Sequence, residues 1–314
     1  MTDQDVVEQA ANEAFKALQS KARAEHGGNT GALMVVHAVE CFLRRLAMSE
    51  YAEQMVLKGG MLMAANSIRQ MTKDADLSTH GIASDENSVR AVVAQICALT
   101  PDPHDGIVID QATLKTEVMR EDAEYQGVRC KLIAGLGQAS IHFALDFSFG
   151  DPGQSTTIQL ESVIDRRAVE LQAYPLTLNL AEKLVTAMQR REVNTRDRDF
   201  ADLWVTSRMH RLDAGELRRY VWGVAEHRAQ AITTMAEALA NMPDRQQPYT
   251  AMVARMSYLF PPPELWTDLI TEVMEFADPL LRTEDRVFSY WDPEQLQWVE
   301  GASAASHTSG RSPG

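Results

Sequence analysis

Cysteine is scarce in this chain of 314 residues: Cys41, Cys97 and Cys130 are far apart and odd in number. Neither a disulfide framework nor a zinc site has the spacing it needs, so buried free thiols in a reducing compartment are expected. No stretch approaches the roughly 18 uninterrupted apolar residues that a membrane-spanning helix requires. The N-terminus opens on an acidic, polar segment where a secretory signal would place a basic stretch and an apolar run. Basic residues are outnumbered: 30 Lys and Arg against 44 Asp and Glu leave a formal net charge of −14. That field repels nucleic acid, and an RNA partner would need a local cluster of cations. Arg44–Arg45, Arg166–Arg167, Arg190–Arg191 with Arg196 and Arg198, and Arg218–Arg219 are candidates, although each pair alone reads first as a solvated helix face. A cytoplasmic protein with no membrane partner is expected.

Hydrophobic residues at 45% and charged residues at 24% are ordinary for a globular protein, and the length accommodates two domains. Residues 1–50 read as helical, with a broad apolar stripe through Leu33, Val36, Val39, Phe42, Leu43 and Leu46. Residues 55–58 read as a short buried strand, 60–71 as a helix and 74–78 as a second strand. Asp85 or Ser84 is placed to cap a helix over 86–99, which Pro101 prevents from extending. From about 106 to 173 the period falls to two, with candidate strands at 107–109, 114–119, 128–133, 141–149, 157–160 and 168–173. Beyond Pro175, residues 177–192, 198–211, 213–231, 231–241, 263–282 and 283–289 read as helices. The expected organisation is an N-terminal helical segment (1–50), a core of mixed α/β character (51–175), a helical domain (176–300) and a disordered tail (301–314).

Chemistry concentrates between Lys58 and Ser78, in KGGMLMAANSIRQMTKDADLS. The Gly59–Gly60 pair sits where a strand gives way to a helix, so the backbone can approach a phosphate and the helix N-terminus supplies N–H groups. A lone Gly-Gly often marks only a tight turn; here two aspartates follow it. Asp74 and Asp76 are two apart on a strand and share a face, an unfavourable pairing of like charges unless a cation neutralises it. Oxygen-only ligands suit Mg²⁺ (or Mn²⁺) with the phosphates of a nucleoside triphosphate. Asp146 lies in an otherwise apolar strand, IHFALDFSFGDP, as either a buried structural acceptor or a third metal ligand. Lys183 lies beside the apolar stripe Leu180, Leu184 and Ala187, and alone reads as a lysine that reaches out to solvent. Asp199 and Asp202 are one helical turn apart and read as exposed charges or as partners for nearby arginines. His80, His104 and His142 have no paired spacing and read as structural or exposed.

Three segments taken in order resemble the AbiEii/AbiGii toxin family of nucleotidyltransferases, which includes the mycobacterial Men-type toxins. The first is Lys58-Gly59-Gly60, then Arg69, Thr72, Asp74 and Asp76; the second is Asp146 with the turn Gly150–Asp151. The third is Pro175–Leu176, the Ala-Glu-Lys-Leu run at 181–184, Arg190 or Arg191, and the run Arg198, Asp199, Phe200, Asp202 and Leu203. The match covers about residues 50–205. The resemblance implies a DNA polymerase β-like nucleotidyltransferase core with a mixed sheet, followed by a helical domain. It implies that Asp74 and Asp76 bind Mg²⁺ with Asp146 as third acid, that Lys183 contacts the triphosphate, and that Asp199 positions nucleotide or attacking group. Lys58, Gly59, Gly60, Arg69 and Thr72 would line the nucleotide or support its phosphates. One departure stands out: many members carry Ser or Thr directly after the paired glycines, where this chain has Met61. Phosphate binding there would rest on backbone N–H groups.

The function so implied is that of a toxin from a toxin–antitoxin pair, with a cognate antitoxin as partner. It would move a nucleotide from an NTP to RNA, at the 3′ acceptor end of tRNA. The alternatives are transfer to a protein or to a small molecule such as an aminoglycoside, and a catalytically silent relative that only binds a partner.

Overall fold

The computed structural model describes residues 2–25, 27–68, 72–121, 125–150, 154–164, 167–256, 258, 260–282 and 287–301. Arg69, Asp151, Arg166 and the tail from residue 302, all singled out in the sequence, lie outside these residues. The chain divides into two compact units, Met1–Pro175 and Leu176–Gly314.

The first unit runs α1 (Asp3–Glu25), α2 (Thr30–Ala47), β1 (Met55–Lys58), α3 (Gly59–Ala65), β2 (Asp74–Thr79), α4 (Glu86–Ala98), β3 (Ile107–Glu121), β4 (Tyr125–Leu136), β5 (Ala139–Phe149), β6 (Thr156–Glu161) and β7 (Ala168–Ala173). Its seven strands form one mixed sheet in the order β3-β4-β5-β2-β1-β7-β6. The pairs β2–β5 and β1–β7 are parallel, whereas β1–β2, β3–β4, β4–β5 and β6–β7 are antiparallel. The α2 stripe expected from the sequence is buried, and α2 packs on β5, β7 and β2. Along β5 the buried Phe143, Leu145 and Phe147 alternate with the more open His142, Ala144, Asp146 and Ser148. The strand is therefore apolar on one face only, and Asp146 belongs to the other.

Several boundaries differ from expectation, each for a local reason. Residues 107–109 and 114–119 form one strand, because Ile133 donates its N–H to Thr113 Oγ1 across the register shift between Asp110 and Lys115. The helix expected over 60–71 is α3, which ends at Ala65. Asn66 Nδ2 donates to Leu62 O and Ser67 adopts a left-handed φ of 61°, so the backbone turns out of the helix. Asp85 caps α4 as expected, accepting from the amides of Asn87 and Ser88. Arg45 is no part of a surface patch. It is buried, with Nη1 donating to Asp105 Oδ2 at 2.6 Å and Nη2 to Ile107 O at 3.0 Å. All three cysteines are free and buried, and burial pushes the thiols of Cys97 and Cys130 up to about 12, so they are inert.

The second unit runs α5 (Leu176–Arg190), α6 (Asp197–Met209), β8 (Leu212–Asp213), α7 (Ala214–His227), α8 (Met235–Ala238), α9 (Gln246–Val253), α10 (Trp266–Leu281), β9 (Phe288–Asp292) and β10 (Gln297–Glu300). It is mainly helical, as expected, but also carries a three-stranded sheet in the order β10-β9-β8. The helix expected over 283–289 is not formed at its end: Phe288 already belongs to β9, and residues 283–286 lie outside the described residues. Phe276 packs against Trp291 and Trp298, whose indole N–H groups donate to Ser207 O and Phe276 O. Both buried indole dipoles are thereby satisfied.

Candidate active site

In the first unit, four charged residues form a row across the middle of the sheet. Lys58 on β1 stands opposite Asp76 on β2, Asp76 opposite Asp146 on β5, and Asp146 opposite Arg129 on β4. Residues directly opposite one another share a face, so the row reads positive, negative, negative, positive on the more open side of the sheet. Asp74 lies two residues before Asp76 and joins it on that face, as the sequence predicts. Ala75 and Leu77, between and after them, are buried on the opposite side.

Gly59 and Gly60 are part of this arrangement. Gly59 has φ +62°, and a Cβ placed on it would come within 2.0 Å of Asp76 Oδ2. Gly60 N–H points at the same carboxylate and donates to Oδ2 at 3.3 Å. The paired glycines thus let the start of α3 close over Asp76. Gly59→Ala is expected to cost about 1–3 kcal/mol from the left-handed backbone alone, and more from the overlap with Asp76. The denaturation midpoint measures that cost, and an unchanged midpoint contradicts this account of the turn.

Electrostatics single out Asp76. Burial, then the charges of Asp74 and Asp146, push its carboxyl up to about 6, against the opposing pull of Lys58 and the Gly60 amide. Lys58 Nζ lies 5.5 Å from the centre of the Tyr174 ring. Thr72 Oγ1 donates to Asp74 O at 2.9 Å, fixing the entry to β2. Met61, in the place after the glycines, is fully buried and packs into the core.

Asp146 differs from its two neighbours. Both of its oxygens accept from Arg129, Oδ1 from Nε at 2.6 Å and Oδ2 from Nη2 at 2.5 Å. The pair raises the Arg129 guanidinium well above its ordinary value. Among the described residues, no three Asp, Glu, His or Cys side chains are gathered as a ready-made metal cluster. The sheet register brings Asp74, Asp76 and Asp146 onto one face, but Asp146 is turned to a guanidinium. What fits a hard divalent cation here is the Asp74–Asp76 pair, which offers only oxygen donors and whose like charges oppose each other. Arg129 carried no motif signal in the sequence; its alternation with Cys130 and Lys131 in a strand is the one hint that it shares a face with Asp146.

In the second unit, Lys183 does not reach out to solvent. It is buried at 8% exposure, and its Nζ donates to Asp199 Oδ1 at 2.6 Å and Asp202 Oδ2 at 3.0 Å. Asp202 is likewise buried, not an exposed charge, while Arg196 lies 3.7 Å from Asp199. The acids come from α6, where Asp197 and Asp199 also complement the helix N-terminus. Asp197 in turn is held by both Nε and Nη2 of Arg245. Partners 16 and 19 residues away turn an apparently exposed lysine into the centre of a buried ion network.

Two crystal structures from Helicobacter pylori are similar. JHP933 shows 14% identity and a TM-score of 0.40, covering 62% of this chain and 74% of that one. The other shows 13% identity and a TM-score of 0.39, covering 67% of this chain and 90% of that one. No curated protein matches the chain. Residues 41–271 match the family model described as Nucleotidyl transferase AbiEii toxin, Type IV TA system, a span that contains both the sheet row and the Lys183 network. The chain belongs to the AbiEii nucleotidyl transferase toxin family of type IV toxin–antitoxin systems.

Proposed function

We propose that this protein transfers a nucleotide from an NTP to RNA, at the 3′ acceptor end of tRNA, and is held in check by a cognate antitoxin. The observation that carries the transferase reading is the geometry around Asp76: two carboxylates two residues apart on the open face of a sheet, with Gly59 packed so close to Asp76 that no side chain fits at that position and the Gly60 N–H donating to the same carboxylate. The tRNA acceptor rests on the family resemblance alone. Asp74 and Asp76 would hold Mg²⁺ or Mn²⁺, with Asp146 as a third acid once it parts from Arg129. Bound there, the ion would neutralise charge on the triphosphate and on the departing pyrophosphate.

The chain's own groups define the rest of the reading. The RNA 3′-hydroxyl attacks the α-phosphorus, the bond to the bridging oxygen breaks, and pyrophosphate leaves. Lys58, Gly59 and Gly60 would face the nucleotide with a side-chain cation and backbone N–H groups. The family's motif assigns the triphosphate to Lys183, a nucleotide or acceptor contact to Asp199, and supporting roles to Arg69 and Thr72. No helix among the described residues is long and apolar enough to cross a membrane; action in the cytoplasm, beside tRNA, is part of the proposal.

The test is incubation of the purified protein with total tRNA and each α-labelled NTP in Mg²⁺ or Mn²⁺. Label is expected in tRNA and sensitive to removal of its 3′ end. Label in protein, or label that appears only with an added aminoglycoside, assigns the transferase a different acceptor. A folded protein that neither transfers label nor binds Mg²⁺-NTP is a silent partner-binding relative, and the proposal fails.

A further inference from the structure

Arg129 forks onto Asp146 with two nearly parallel hydrogen bonds of 2.6 and 2.5 Å, which use both carboxylate oxygens. The pairing is fixed by backbone register, since β4 and β5 set the two residues directly opposite each other. The residue opposite Arg129 on its other side, Glu117 on β3, does not compete: its carboxylate takes Lys131 at 2.8 Å. The Arg129–Asp146 pair is also reachable, with side-chain exposures of 35% and 12%. A cation arriving from solvent therefore meets a carboxylate already occupied by another cation.

We propose that Arg129 is a positioning residue that takes the place of a metal ion at Asp146, so that the guanidinium pair and divalent-cation binding by this carboxylate exclude each other. The inference rests on the transferase reading above, from which the metal role of Asp146 comes. Its consequence is that the nucleotide-free protein binds a divalent cation through Asp74 and Asp76 and holds Asp146 back. Loading of the third acid requires the guanidinium to move, and the triphosphate is an anion it could move to.

The measurement is titration of the full chain with Mn²⁺ alone, without nucleotide, followed by the loss of free-ion paramagnetic resonance signal. Arg129→Gln is expected to bind Mn²⁺ roughly tenfold more tightly than wild type, the scale set by a charge-assisted hydrogen-bond pair. Arg129→Lys keeps the cation and stays near wild type. The double variant Arg129→Gln, Asp146→Asn removes the pair without changing net charge, and is expected to return to wild-type affinity. An Arg129→Gln variant with unchanged or weaker binding overturns the inference. So does a double variant that binds well below wild type, since Asp146 would then be a ligand with Arg129 in place. The double variant decides the matter even if the single substitution fails to fold. Failure of the transferase reading looks different: Asp76→Asn would then titrate like wild type, whatever residue stands at 129.

Discussion

Asp76→Asn is expected to abolish nucleotidyl transfer and, in the absence of metal, to make the protein more stable at neutral pH. The first effect follows from the position of Asp76 at the centre of the acidic row, between Asp74 on its own strand and Asp146 on the next. If Asp76 holds the ion as proposed, its loss removes several kcal/mol of transition-state stabilisation, and transfer is expected to fall by about a thousandfold or more. The second effect has the opposite sign because the carboxylate is held in an unfavourable place. Burial and two like charges raise it to about 6. A carboxyl that binds its proton more tightly folded than unfolded favours the folded state at low pH. That contribution is fully present below about pH 4 and is lost as pH rises through about 6. At pH 7.5 the ionised wild type has lost at most about 3 kcal/mol relative to an uncharged side chain of the same shape. Denaturation in a chelating buffer between pH 4 and 8 should show this decline in wild type and not in Asp76→Asn. A variant that transfers nucleotide at the wild-type rate, or that is less stable at pH 7.5, contradicts the placement of Asp76.

Lys183→Met is expected to destabilise the second unit severely. It leaves the fully buried Asp202 and the mostly buried Asp199 without the ammonium that both accept from. Breaking one partner out of a buried ion network costs about 3–5 kcal/mol, because the remaining charge stays desolvated. Adding Asp202→Asn removes the more deeply buried of the two stranded charges and leaves Asp199 with Arg196, 3.7 Å away, so the double variant should recover most of the lost stability in urea denaturation. Activity separates two roles. If Lys183 serves only to hold α5 against α6, the double variant regains transfer along with its fold. If it meets the triphosphate, as the family's motif assigns, the double variant is folded but inactive. The expected result is a folded, inactive protein.

How much of this was legible in the residues depends on how local the information is. The strand at Met55–Lys58, the glycine turn, and the strand beginning at Asp74 follow from spacing and composition over a few residues each, and the structure forms all three. The shared face of Asp74 and Asp76 follows from the two-residue period of any strand. Asp146 shows where such reading stops. Its strand could be found, but its partner Arg129 is set by antiparallel register between β4 and β5, which no local pattern specifies. Lys183 and Arg45 are parallel cases: both look like surface cations, and both are buried against carboxylates 16 to 60 residues away. The β9–β10 hairpin was within reach. Aromatic residues at Phe288, Tyr290, Trp291 and Trp298 flank an Asp292–Pro293 turn, a stronger strand signal than the helical one.

The claim on which the account depends is that Asp74 and Asp76 together grip one divalent ion against a triphosphate. Crystals grown with Mn²⁺ and a non-hydrolysable NTP, with anomalous scattering measured at the manganese edge, test it most directly. The account predicts an anomalous peak roughly 2.2 Å from an oxygen of each aspartate, with nucleotide phosphate completing the coordination. A nucleotide bound elsewhere, or a manganese peak that touches neither Asp74 nor Asp76, would contradict it.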